Sequence, residues 1–281
     1  MFDFHTHIFS PWAREHRDEL AREDPTFGAI YSDPKARMVG VEDLLAMMER
    51  EGVRQAVICG FPWRGIEDCR RENDYLLEAA SRHPGLVPFV TFPSGDEGLK
   101  ELERCIKAGA KGAGELAPGT YGEGPLDGGV LKELFAALRE AHVPALVHVN
   151  EPVGHIYPGK GRISLRDVEV LVRVAQGVKL ILAHLGGGFL FFELMPEVAS
   201  ICHDVYYDTA ALPFLYTAKV WRLAAEIAGE RLLFGTDFPL LGPKRYLQGM
   251  EEAGVGGEVR RRILGANAKR LLGWSSGEGT S

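Results

Sequence analysis

Apolar residues along this chain fall into short, nearly uninterrupted runs, separated by longer stretches in which they recur every three or four positions. The runs are aliphatic, as in Ala145-Leu146-Val147-His148 and Lys179-Leu180-Ile181-Leu182. A parallel strand covered on both faces reads this way, because it has no solvent side to mark with polar residues. Eight runs predict strands over residues 1–7, 53–60, 86–92, 109–116, 144–150, 178–184, 205–209 and 232–236. The stretches between them predict helices over 41–51, 67–83, 96–108, 129–141, 164–176, 189–202, 213–228 and 243–253. Leu44, Leu45 and Met48 form the apolar stripe of the first helix, and Ser164 is a suitable N-cap for the fifth. Gly52, Gly109 and Gly177 stand just before the next strand, where glycine can end a helix in the left-handed conformation.

Strict alternation of strand and helix predicts a parallel sheet with right-handed crossovers. Eight units close the (β/α)8 TIM barrel, so the expected class is α/β, one domain over residues 1–274. A doubly wound open sheet is the structural alternative. Residues 10–40, rich in charge and carrying Pro11, Pro25 and Pro34, are a loop insertion expected over the barrel mouth. Residues 257–273 form a closing helical segment expected under or beside the barrel, and 275–281 read as a disordered tail.

Composition narrows the function classes. The 281 residues are 46% hydrophobic, enough for a large core, and 25% charged. A net charge of −7 argues against general affinity for nucleic acid or anionic membranes. No Lys/Arg-led apolar leader opens the chain, and no apolar run approaches the roughly 20 residues a membrane span needs. Cys59, Cys69, Cys105 and Cys202 are scattered and form no C-x-x-C pair, which points to free thiols in a reducing compartment. The expectation is a cytoplasmic protein with a small-molecule substrate, no nucleic-acid or membrane partner, and a homo-oligomer as a compatible state.

In such a barrel the chemistry sits at the C-terminal ends of the strands. Strand one ends in His5-Thr6-His7, whose i, i+2 spacing turns both imidazoles the same way. Strand four ends with Glu115, strand five carries His148, strand six ends with His184, and Asp237 follows strand eight. Neutral imidazole and carboxylate gathered at strand ends are the donors of a zinc, manganese or iron(II) site.

The order His-x-His, Glu, His, His, Asp resembles the amidohydrolase superfamily of metal-dependent barrels. Phe4-His5-Thr6-His7-Ile8 is similar to its first-strand motif. Ala183-His184-Leu185-Gly186-Gly187-Gly188, Leu233-Phe234-Gly235-Thr236-Asp237-Phe238-Pro239 and the closing stretch 263–272 resemble the amidohydrolase-related branch. The resemblance implies that His5, His7 and His148 are ligands of a divalent metal and that Asp237 binds the metal or the attacking water and moves its proton. His184 would be a ligand of a second ion or, with one metal, an acid/base group. Lys111-Gly112-Ala113-Gly114-Glu115-Leu116 instead resembles the TatD-like branch, in which a glutamate here bridges two metals. Glu115 therefore favours a binuclear centre, with zinc as the expected ion and manganese or iron(II) as alternatives, one or two per chain.

The loop after strand five, 150–161, offers His155, Tyr157 and Lys160, with Lys160 a candidate receiver of a substrate carboxylate or phosphate. Arg64 after strand two could also reach the mouth. Tyr121 and Asp208 are weaker candidates, Asp208 as a partner of a metal-bound histidine. His16, His83, His142 and His203 fall on helices or their ends and read as structural. Gly186-Gly187-Gly188 precedes a helix N-terminus that could receive an anion, or simply packs closely beside the metals. The resulting expectation is a metal-dependent hydrolase attacking a carbonyl or phosphoryl centre of a small, anionic substrate. The alternatives are a mononuclear non-oxidative decarboxylase of the amidohydrolase-related branch and a TatD-like deoxyribonuclease.

Overall fold

The computed structural model describes residues 1–118 and 128–274; Tyr121 and the 275–281 tail lie outside the described residues. Eight parallel strands pair in sequence order: β1 (Phe2–His7), β2 (Gln55–Cys59), β3 (Leu86–Val90), β4 (Gly112–Leu116), β5 (Ala145–Val147), β6 (Leu180–Leu182), β7 (Val205–Asp208) and β8 (Leu232–Leu233). The ring closes through β1. Phe4 N donates to Phe234 O at 2.6 Å, Asp237 N to His5 O at 2.9 Å, and His7 N to Phe238 O at 2.7 Å. The expected (β/α)8 barrel is the observed architecture.

The barrel interior is packed, not open. Phe2, Phe4, Val57, Phe89, Leu146 and Ile181 fill it and are sealed at the base by Ala268 and Leu271 of the closing segment. The outer helices bury one stripe each, as Val168, Leu171 and Val172 do in Leu165–Val174. Ser164 caps that helix in the expected way: its hydroxyl accepts from Asp167 N, and the Asp167 carboxylate accepts from Ser164 N. All four cysteines are buried and unbridged. Among the described residues no helix is long and apolar enough to cross a membrane.

Three elements depart from expectation. The predicted helix 189–202 is a 3-10 segment, His184–Leu194, followed by a single turn at Pro196–Ala199. Leu185 to Gly188 have φ values of 56, 62, 60 and 92°, so the chain here runs left-handed before Pro196 restarts a helix. The predicted helix 213–228 divides into Leu212–Leu215 and Lys219–Ala228. Residues 10–40 are not a bare loop but hold three short helices, Pro11–Glu15, Arg17–Glu23 and Pro25–Tyr31. Ser10 and Asp24 cap the first and third, each followed by proline at the first helical position. Phe27 of the third stacks on Trp63 at 5.0 Å and meets Phe61 edge-on at 5.4 Å, which ties the insertion to the loop after β2.

Candidate metal centre

The donors predicted from the strand ends come together in one cluster. His5, wholly buried, has Nδ1 2.7 Å from Asp208 Oδ2 at the end of β7. A carboxylate only accepts, so Nδ1 carries the hydrogen and Nε2 turns inward. There it lies 3.0 Å from His7 Nε2, 3.6 Å from Glu115 Oε2 and 3.8 Å from Asp237 Oδ1. His7 Nε2 lies 3.5 Å from Glu115 Oε2 and 3.6 Å from Asp237 Oδ1. Glu115 extends its other oxygen to His148 Nδ1 at 2.9 Å and faces His184 Nε2 at 3.8 Å. His184 Nδ1 donates to the Ala210 carbonyl at 2.9 Å, which leaves its Nε2 lone pair facing Glu115.

Two three-donor groups result, His5–His7–Glu115 and Glu115–His148–His184, each with ligand atoms within 4.8 Å of one another and Glu115 common to both. The electrostatics favour a cation at this point. Burial opposes charge on His5, but Glu115 and Asp208 outweigh it and hold its pKa well above the ordinary value. Burial likewise opposes ionisation of Glu115, yet His148 and His5 hold its carboxyl well below the usual range. A field that retains a proton among imidazoles and a carboxylate also attracts a divalent ion, which takes the same lone pairs. Histidine nitrogen with carboxylate oxygen is a donor set shared by zinc, manganese and iron(II). The residues present therefore fit a divalent metal.

Supporting residues fix these donors. Asp208, fully buried, accepts from His184 N at 2.8 Å and Ala210 N at 3.0 Å while holding His5, so one carboxylate orients two of the six. Asp3 and Thr236 were not singled out from the sequence. Asp3 accepts from Thr236 Oγ1 at 2.6 Å and Thr236 N at 2.9 Å, which pins the Asp237 turn to β1. Burial pushes the Asp3 carboxyl up to about 7, against the hydrogen bonds of Thr236 and His5. The signal was available: an acid between Phe2 and Phe4 in an apolar strand needs a partner. Glycines give the donors room. A Cβ on Gly114, beside Glu115, would meet Leu146 Cβ at 2.8 Å, and one on Gly187 would meet Asn150 O at 2.3 Å.

Above the cluster opens a cavity of about 610 Å³. His7, Glu115, His148, His184 and Asp237 lie at its floor; Tyr31, Phe61, Phe214, Leu215 and Leu240 give it aromatic and aliphatic walls. His155 and Tyr157 line it. Tyr157 donates to Glu151 Oε2 at 3.4 Å, and burial beside Glu151 pushes its hydroxyl pKa up. Two expected residues are placed elsewhere. The Lys160 ammonium donates to the Val153 and His155 carbonyls at 2.6 and 3.0 Å, because closing its own loop satisfies it, and it does not line the cavity. Arg64 is exposed beyond the wall formed by Phe61 and Pro62, its backbone N–H held by Asp24 Oδ2. The cations that do line the cavity are Lys35 and Arg37, in the insertion.

A β/α barrel with histidine and carboxylate donors at the C-terminal ends of its strands defines a class of metal-type barrel enzymes. The chain belongs to the amidohydrolase family, whose model matches residues 2–274. It is similar to gamma-resorcylate decarboxylase of Rhodococcus jostii (strain RHA1), 22% identical over 303 aligned residues, covering 87% of this chain and 91% of the relative. It is similar also to 4-sulfomuconolactone hydrolase of Rhizobium radiobacter, 24% identical, covering 97% of this chain and 89% of the relative. Among solved structures, the dihydroxybenzoic acid decarboxylase of Polaromonas sp. JS666, with bound manganese and the inhibitor 2-nitroresorcinol, superposes with a TM-score of 0.73 at 19% identity and covers 97% of each chain.

Proposed function

We propose that this chain is a metal-dependent, non-oxidative decarboxylase of small cyclic carboxylic acids. The observation that carries the reading is the cavity itself: five metal-type donors at its floor, with His5 buried behind them, and walls of Tyr31, Phe61 and Phe214 that leave room for an aromatic ring with polar substituents. The decarboxylase relatives support it over the hydrolase expected from the sequence. A divalent ion, manganese or zinc, held by His5, His7, His148 and Asp237 would supply Lewis acidity that fixes anionic oxygens of the substrate. The aromatic walls hold the ring in plane. As the ring–carboxylate bond breaks and carbon dioxide leaves, the ring carbon needs a proton. Asp237, with a side chain 20% exposed and facing the cavity, is placed to hold that proton and to recover it from solvent. His184, its Nδ1 fixed by Ala210, is placed to share it through Nε2.

One feature favours a second reading, hydrolysis of a lactone or similar ester. Glu115 belongs to both three-donor groups and could serve a paired centre, which would supply an activated water. A single assay separates the two. Manganese-loaded protein is incubated with carboxyl-¹³C-labelled hydroxybenzoic acids and, separately, with carboxylated lactones. Release of labelled carbon dioxide, abolished in Asp237→Asn, is the expected result. Ring opening of lactones without carbon dioxide release would replace the decarboxylase with the hydrolase.

A further inference from the structure

We propose that Arg37, assisted by Lys35, forms a second anion subsite in the cavity, so that the substrate carries an anionic group besides the one that reacts at the floor. The inference rests on the proposed reading of the donor cluster as the reacting centre, and it names the substrate class: cyclic acids with two anionic groups.

Both residues lie just after the third helix of the insertion, and both line the cavity. What sets them apart from the other cations of the chain is their place on the cavity wall. Among the described residues no carboxylate lies within 4.0 Å of Arg37 or Lys35. The Arg37 guanidinium spends one N–H on the Pro239 carbonyl, at 3.4 Å, and among the described residues the rest of its donor fork is uncommitted. Pro239 follows Asp237 by two residues, so this bond places the guanidinium on the rim beside the reacting end. Asp33 on the same rim already accepts from Lys35 N at 2.9 Å. A planar fork with free donors at the edge of an apolar cavity recognises a carboxylate or sulfonate bidentately. The expected role of Lys160 thus passes to the insertion, which the sequence pattern places over the barrel mouth without naming a donor in it.

The test is binding, with no reading of catalysis, so that its failure is separable from failure of the proposed reaction. Isothermal titration of the manganese-loaded protein compares 4-hydroxyisophthalate with 4-hydroxybenzoate, the same ring with one carboxylate fewer. Wild type is expected to bind the dicarboxylate at least tenfold more tightly. Arg37→Ala is expected to lose about 10- to 100-fold for the dicarboxylate, as a charged hydrogen bond is worth, while binding of the monocarboxylate stays within twofold. Arg37→Lys should recover part of the loss, and Lys35→Ala should lose less than Arg37→Ala. Equal binding of the two acids by wild type, including binding of neither, overturns the subsite. So does an Arg37→Ala variant, folded by circular dichroism, that weakens both acids alike or neither.

Discussion

Asp208 is the residue on which the donor geometry most depends, because its single buried carboxylate holds a ring N–H of His5 and the backbone N–H groups of His184 and Ala210. Asp208→Ala leaves His5 free to rotate or change tautomer. Metal affinity, measured by competition with a chelating dye, is expected to fall about 10- to 100-fold, as when such outer partners are lost elsewhere. A change under twofold would remove Asp208 from the account. Asp3 makes the parallel case for stability. Asp3→Ala would leave the buried Thr236 donors unpaired, and urea unfolding should show a loss of roughly 2–4 kcal/mol. The chemistry-bearing residues were legible because strand-end histidines and acids stand out in apolar runs. Lys35 and Arg37 were not legible, since their place depends on how three short capped helices fold over the mouth, which hydrophobic periodicity does not encode.

At the scale of elements, the eight strands were readable because each is buried on both faces and bounded by turn residues. The boundaries were not: β5 ends at Val147 and β6 at Leu182, so His148 and His184 lie one and two residues beyond the paired backbone. The segment after β6 misled for a physical reason. Phe189-Leu190-Phe191-Phe192 is apolar all round and looks like a buried helix, yet the three glycines before it adopt left-handed geometry to pass the β5 loop. Gly187 makes the closest approach, and its φ of 60° is itself costly for any other residue. Gly187→Ala is expected to shift Asn150 and with it the end of β5. Thermal unfolding should show a loss of at least about 1–3 kcal/mol, whereas Gly52→Ala, with nothing within 4 Å, should lose less through its positive φ alone. Equal losses at the two positions would argue against the packing explanation.

For the whole molecule, burial governs the reactivity of its thiols. Burial pushes the Cys69 and Cys202 thiols up to about 12, and drives Cys59 and Cys105 further in the same direction. A thiol-reactive aromatic disulfide at pH 8 should therefore label none of the four in the native protein and all of them in denaturant. If the donor cluster binds a metal in the native state alone, chelation removes about 2.7 kcal/mol at a hundredfold saturation, a fall in Tm of roughly 5–10 °C for a chain of this length. His5, His7, Glu115, His148, His184 and Asp237 are expected to act together as a metal centre. The most direct test is elemental analysis by inductively coupled plasma mass spectrometry of freshly purified protein beside the His5→Ala/His7→Ala double variant. One or two divalent transition-metal ions per chain are expected in the wild type, and their loss from the variant. Metal-free wild type after growth with added manganese and zinc, or equal metal content in both proteins, would contradict that expectation.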